Sequence, residues 1–130
     1  MPLERIQPAG FGPQPGPWAA AVRSGNYLFI SGQVAIDVDG EVKAIGDPRG
    51  QAIKIHENLA RILESVGATF ADVIKVTIYI VDVAHRPAIQ EVRYQYFGDT
   101  LPASTMVVVA GLVRPEFLLE LEAVAEIPGA

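Results

Sequence analysis

The chain has 130 residues and a formal charge of −5; half of its residues are hydrophobic and 19% are charged. This composition favours one folded domain over a disordered chain, and the scattered basic residues argue against a nucleic-acid or anionic-membrane surface. The sequence has no cysteine, which excludes disulfides and thiolate chemistry, and no apolar run of membrane-spanning length, so we expect a cytoplasmic protein.

The chain begins with a segment rich in proline and glycine. We expect residues 1–17 to form an arm of the single domain that continues over residues 18–130. Two apolar runs, 18–22 and 27–31, follow with turn residues between them, and this pattern predicts a β-hairpin. The stretch QVAID, residues 33–37, predicts a third short strand.

The first helix has the clearest pattern in the sequence. Asp47 suits the N-cap, Pro48 suits the first helical position, and Gly67 suits the end of the helix. Between them, apolar residues recur at helical spacing and define one buried face: Ala52, Ile55, Leu59, Ile62, Leu63 and Val66.

Four more elements follow. Residues 73–81 are rich in β-branched residues and predict a buried strand. Pro87 begins a second helix that continues to about Phe97 before Gly98. Residues 105–112 predict another buried strand, and residues 118–126 the last one.

The order β-β-β-α-β-α-β-β predicts an α+β fold: one mostly antiparallel sheet with two helices on a single face. The second face also carries apolar residues, for example the three valines at 107–109. We therefore expect other subunits to cover that face, in an oligomer built sheet to sheet around an inner barrel. Clefts at the subunit boundaries are then the natural ligand sites.

Several familiar site types do not fit this sequence. The two histidines, His56 and His85, lack a second ligand at metal spacing, so structural roles are expected for both and no metal site. Neither suits a Ser-His-Asp triad. The glycines at 10, 12 and 16 do not follow a strand or open a helix, so they do not form a phosphate loop.

Three polar features remain: Ser31-Gly32 at a strand end, the LPAS turn at 101–104, and the two carboxylates of Glu120 and Glu122. The two glutamates share one face of the last strand, where like charges repel. Either that face is simply solvated, or it lines a wet cleft in which a carboxylate has a chemical role.

The motifs GPW, YLFISGQVAID, VIKVTIYIVD, LPAS and LELEAVA follow one another over nearly the whole chain. In this order they resemble the RidA/YjgF/YER057c/UK114 family of reactive-intermediate deaminases. The resemblance implies a chorismate-mutase-like fold and a homotrimer with active clefts between subunits. It also implies hydrolysis of enamine or imine metabolites, such as 2-aminoacrylate, to a carbonyl product and ammonia without a metal or cofactor.

The resemblance assigns roles to individual residues. Glu120 matches the family glutamate that holds the hydrolytic water, and Ser31 with Gly32 matches the substrate-binding loop. Trp18 stands where the deaminases usually have tyrosine, and Glu91 where they often have asparagine.

The main departure from the family pattern is Ser104. It stands where the deaminases have an arginine that binds the substrate carboxylate; backbone groups near Ala103 and the Ser104 hydroxyl would position the imine instead. We therefore expect an arginine-less branch that prefers neutral or cationic imines over 2-aminoacrylate. Arg93 or Arg114 could still supply the missing cation.

Two other functions remain open from the sequence. One is a non-catalytic trimer of the same fold that binds a small metabolite. The other is the ribonuclease activity that has been attached to the family name, which the acidic charge and the lack of clustered basic residues disfavour.

Overall fold

The computed structural model describes residues 2–8 and 16–129. In these residues the chain forms an α+β domain in which one sheet packs against α-helices. The strands are β1 (Glu4–Ile6), β2 (Ala21–Ser24), β3 (Tyr27–Gln33), β4 (Val73–Ile80), β5 (Ala103–Val108) and β6 (Leu119–Glu126), and the helices are α1 (Pro48–Glu64) and α2 (Arg86–Phe97).

The six described strands form a single sheet in the order β1-β2-β3-β6-β4-β5. The neighbouring strands pair antiparallel except β4 and β5, which are parallel and are connected through α2. This arrangement confirms the predicted mostly antiparallel sheet. It also places β6, the strand with the two glutamates, in the middle of the sheet between β3 and β4.

One face of the sheet forms the core. Along β6 the side chains alternate, so that Leu119, Leu121, Ala123 and Ala125 are buried. The predicted apolar stripe of α1 packs against this face, and α2 packs beside α1. The intervening residues of β6 point to the opposite face, because side chains alternate along a strand.

Both helices were predicted correctly, with ends that differ by a few residues: α2 begins at Arg86 rather than at Pro87, and α1 ends at Glu64, before Gly67. Pro48 is the first residue of α1, although the preceding Asp47 makes no side-chain hydrogen bond as a cap. Gly67 and Gly98 follow the two helices with φ of +75° and +57°, a backbone region that glycine adopts without strain. Among the described residues, no helix is long and apolar enough to cross a membrane.

The predicted third strand at 33–37 is wrong. Gln33 belongs to β3, and the following residues form only an isolated bridge between Ile36 and Val42. The sheet instead gains β1 from the N-terminal arm, where Ile6 pairs with Ala21 and packs partly against the core. Three residues are too short to show a strand periodicity in the sequence.

The hairpin was predicted correctly, but β2 begins at Ala21 rather than at Trp18. The prediction for β5 needs a larger correction. It begins at Ala103, ends at Val108, and is mostly exposed rather than buried, because it lies at the edge of the sheet and pairs only with β4. In the single chain its outer edge is open to a partner.

The face of the sheet opposite the helices carries exposed aromatic and aliphatic side chains. Tyr27 and Phe29 are about half exposed, and Val107 is 40% exposed. No described element packs over them. This is the bare apolar face that the sequence predicted, and it is a natural surface for another copy of the chain.

Candidate active site

Glu120 lies on the bare face of β6, directly across from Tyr79 on β4. Its carboxylate rests against the backbone of Gly32, where the pairing of β3 with β6 is irregular. A Cβ atom at position 32 would come within 1.9 Å of Glu120 Oε2. The glycine of the SGQ sequence at the end of β3 therefore makes room for the carboxylate.

The two carboxylates of β6 have different surroundings. Glu122 accepts a hydrogen bond of 2.6 Å from the Tyr79 hydroxyl. Glu120 is half-buried, and no described residue donates a hydrogen bond to it, so its oxygens are available to a water molecule. Partial burial raises the pKa of Glu120, and the negative charge of Glu122 raises it further.

Ser31 anchors the segment that precedes β2. Its hydroxyl donates a 2.6 Å hydrogen bond to the carbonyl of Ala19, and its backbone N–H donates to the carbonyl of Ala20. These bonds fix the segment that carries Trp18, whose side chain is 52% exposed. The indole lies over Gly16, where a Cβ would come within 2.0 Å of the ring.

Ser104 does not lie on the same face as Glu120. It pairs with Val76, which is buried beneath the helices, whereas Glu120 pairs with Tyr79 on the bare face. Because side chains alternate along β4 and its neighbours, these two partners point to opposite faces. One chain therefore holds the predicted site residues as two separate halves.

The Ser104 half is a cleft of about 360 Å³ between α2 and the start of β5. Arg93 of α2 lines it and donates hydrogen bonds to Ser104 Oγ at 2.6 Å and to Gln90 Oε1 at 2.7 Å. Arg86 also lines the cleft. Position 104 lacks an arginine, but the guanidinium of Arg93 lies against Ser104. From the sequence alone, Arg93 was only one of two candidates for the missing cation.

The other option, Arg114, forms an ion pair of 3.2 Å with Glu116 and lies over the ring of Phe117. Glu91, which the resemblance assigned to the substrate site, forms an ion pair with Arg49 of α1 on the surface. Glu91 is not among the residues that line the cleft, although it lies on α2, the same helix as Arg93. Its assignment as a substrate-binding residue remains a prediction, as does that of Ala103 at the exposed start of β5.

His56 is fully buried, and its ring stacks on Tyr96. Its Nδ1–H donates to the carbonyl of Ala52 at 2.7 Å, and burial lowers its pKa to about 4. A neutral ring in an aromatic cluster is a structural feature. No group of three or more potential metal ligands occurs among residues 2–8 and 16–129.

The chain matches known proteins over most of its length. The model of the family described as Endoribonuclease L-PSP matches residues 12–127. The 3-aminoacrylate deaminase RutC of Acinetobacter baylyi is 35% identical over 127 residues, which are 98% of this chain and 100% of that protein. The 2-iminobutanoate/2-iminopropanoate deaminase of Dermatophagoides farinae is 35% identical over 115 residues, which are 88% of this chain and 90% of that protein.

Solved structures give the same result. The crystal structure of RidA from the Antarctic bacterium Psychrobacter sp. matches with a TM-score of 0.88 and 29% identity, over 95% of this chain and 99% of that chain. The fold is thus that of the small α+β proteins named Rid or YjgF. The chain belongs to the Endoribonuclease L-PSP family, the RidA/YjgF family that its motifs indicated, and this family includes proteins named as deaminases of imines and enamines.

Proposed function

We propose that this protein is a deaminase that hydrolyses reactive imines and enamines with no metal or organic cofactor. The observation that carries the proposal is the state of Glu120. Its carboxylate is fixed against Gly32, receives no hydrogen bond from a described residue, and has a raised pKa. These are the properties of a general base that binds a water molecule.

The reaction needs only one proton relay. Glu120 accepts a proton from the bound water while the water oxygen forms a bond to the carbon of the C=N group. Glu120 then passes this proton to the nitrogen, which gives a carbinolamine. Glu120 next accepts the proton of the carbinolamine hydroxyl and passes it to the nitrogen; as the C–N bond breaks, the nitrogen leaves as ammonia or an amine, and the hydroxyl oxygen becomes the carbonyl oxygen. An enamine first tautomerises to the imine. Positioning and base catalysis are sufficient, because imines are already reactive toward water.

The complete site requires more than one copy of the chain in this proposal. Glu120 with Gly32 faces the bare side of the sheet, whereas Ser104 with Arg93 lies on the side of the helices. The bare face and the open edge of β5 both offer surface to a neighbour. We propose a homotrimer with one cleft at each boundary, in which adjoining subunits each provide one half of the site.

The serine at position 104 gave a reason to exclude substrates that carry a carboxylate, such as 2-aminoacrylate. That reason assumed that no cation lies near the serine. Since the Arg93 guanidinium donates a hydrogen bond to Ser104 Oγ, the assumption does not hold, and the deaminase proposal includes 2-imino acids. The two relatives with deaminase names also have names that denote carboxylate-bearing compounds.

The test is an ammonia-release assay with imines generated in place by amino-acid and amine oxidases. The protein should accelerate release above the uncatalysed rate, and Glu120→Gln should abolish the acceleration. Glu126→Gln is the matched control, because Glu126 lies on the same face of the same strand and is exposed; it should retain activity. A protein that is silent on every imine, yet is stabilised thermally by a metabolite, would instead be the non-catalytic binder.

A further inference from the structure

We infer that Arg93 of α2 binds the carboxylate of the substrate, in place of an arginine at position 104. The inference rests on the proposed function and adds the residue that binds the carboxylate of a 2-imino acid. It is drawn from the cleft between α2 and β5, where the charge and hydrogen bonding of Arg93 are incomplete without an anion.

The first observation is that no described residue provides a counter-ion for Arg93. Its side chain is half-buried, and burial lowers the pKa of its guanidinium. Within the described part of the chain no carboxylate lies within 4.0 Å of Arg93 or Arg86. A partly desolvated cation without a partner is costly, and an anionic ligand removes that cost.

The second observation concerns the donors of the guanidinium. It has five N–H groups in a planar fork. One is donated to Gln90 Oε1 and one to Ser104 Oγ, which fixes the plane of the group. The buried Nε finds no acceptor among the described residues. A fixed guanidinium with unused donors suits bidentate binding of a carboxylate.

The third observation is the charge of the cleft. The described residues that line it include Arg86 and Arg93 and no acidic residue, although the whole chain has a net charge of −5. Burial lowers the pKa of Arg93, and the positive charge of Arg86 lowers it further. A small anion in this cleft would be attracted by both guanidinium groups.

The small side chain of Ser104 is part of this arrangement. Its hydroxyl accepts the hydrogen bond that orients Arg93, and it leaves the start of β5 open beside the guanidinium. Ser104 therefore acts as a positioning residue for Arg93. In this proposal Arg93 of α2 binds the substrate carboxylate, as an arginine at position 104 of β5 would otherwise do.

Binding can be tested without turnover by using 2-oxobutanoate, a 2-oxo acid of the kind the reaction would release, in thermal-shift and calorimetric titrations. Arg93→Gln should weaken its binding about 10- to 100-fold, the loss of a charge-assisted pair. Arg114→Gln, which removes an arginine paired outside the cleft, should bind like wild type. Equal binding by wild type and Arg93→Gln overturns the inference, as does stabilisation by inorganic phosphate but not by 2-oxobutanoate.

Turnover gives a second, independent readout. Arg93→Gln should lower kcat/KM for imines that carry a carboxylate by a similar factor, mainly through KM, and change it less than about threefold for imines made from simple amines. Adding Ser104→Arg to Arg93→Gln should recover much of the loss. A loss that is equal for both imine classes would show a structural role and contradict the inference. Failure of the proposed function is distinct, because wild type would then release no extra ammonia from either class.

Discussion

The carboxylate of Glu120 occupies the space in which any residue other than glycine at position 32 would place its Cβ; the two would be 1.9 Å apart. The contact joins the end of β3 to the middle of the sheet. It fixes the direction of one carboxylate and leaves its neighbour Glu122 to pair with Tyr79. Of the two glutamates on this face of β6, Glu120 is the candidate base, and Glu122 is held by its hydrogen bond from Tyr79.

The first prediction concerns this contact. Gly32→Ala should displace the Glu120 carboxylate and lower kcat by about 10- to 100-fold, because a base moved by about 1 Å no longer positions its water well. The free energy of unfolding should fall by less than about 1 kcal/mol, since the displaced atoms are the end of a flexible side chain. Ammonia release and thermal denaturation measure the two effects.

Gly111→Ala is the control for this substitution. A Cβ at position 111 meets no atom within 4 Å, so activity and stability should both stay close to wild type. If Gly32→Ala keeps full activity, the close contact with Glu120 has no role in positioning the base.

The second prediction concerns pH. A base acts only when ionised, so the rate should rise with pH through the pKa of Glu120, which burial and Glu122 both raise. Glu122→Gln removes the second of these two causes, so the acidic limb of the kcat profile should move to lower pH. Part of the shift should remain, because burial is the larger cause. An acidic limb that moves upward or stays in place would show that Glu120 is not the titrating group.

The third prediction concerns the Ser31 hydroxyl. Ser31→Ala removes its hydrogen bond to the Ala19 carbonyl and should destabilise the protein by about 1 kcal/mol. The segment that carries Trp18 should loosen with it. Trp18 is the single tryptophan of the sequence, so its fluorescence reports on this segment directly. Emission should shift and become easier to quench; an unchanged spectrum would mean that other contacts hold the indole.

The fourth prediction concerns stability in acid. The pKa of His56 is lowered to about 4 in the folded protein from an ordinary value near 6.5, so the unfolded chain takes up the proton first. The contribution of His56 to the free energy of unfolding is therefore fully present above pH 6.5, and it is lost as the pH falls toward 4. The loss from this one group should approach about 3 kcal/mol.

Urea denaturation at several pH values checks this expectation. His56→Phe keeps a ring in the aromatic cluster but does not titrate, so its stability should depend much less on pH over this range. Parallel curves for wild type and His56→Phe would show that the buried ring is not responsible.

Local patterns in the sequence were sufficient for much of this fold. Helical periodicity and glycine stops located α1 and α2, and alternation placed Glu120 and Glu122 on one face of β6. The strand β1 could not be found, because three residues carry no period and pair only through tertiary contact. The exposure of β5 depends on its place at the sheet edge, which periodicity does not encode.

The candidate site was predictable only in part for the same reason. The motifs indicated Glu120, Ser31 and Gly32 as candidates, and the structure brings Glu120 against Gly32, but the motifs did not indicate that Ser104 faces the other side of the sheet. Whether a long side chain from α2 reaches Ser104 depends on the packing of α2 against β5, so the sequence could only name Arg93 as an option. Distances between separate elements follow from packing, not from spacing along the chain.

The measurement that tests the central claim most directly mixes two inactive variants. Glu120→Gln and Arg93→Gln, each deficient alone on a carboxylate-bearing imine, are expressed together and purified as mixed oligomers. If one subunit provides Glu120 and its neighbour provides Arg93, about a quarter of the clefts in a random mixture are intact, and about a quarter of wild-type activity should return. Mixed oligomers that form but remain as inactive as the separate variants would contradict a site shared between subunits.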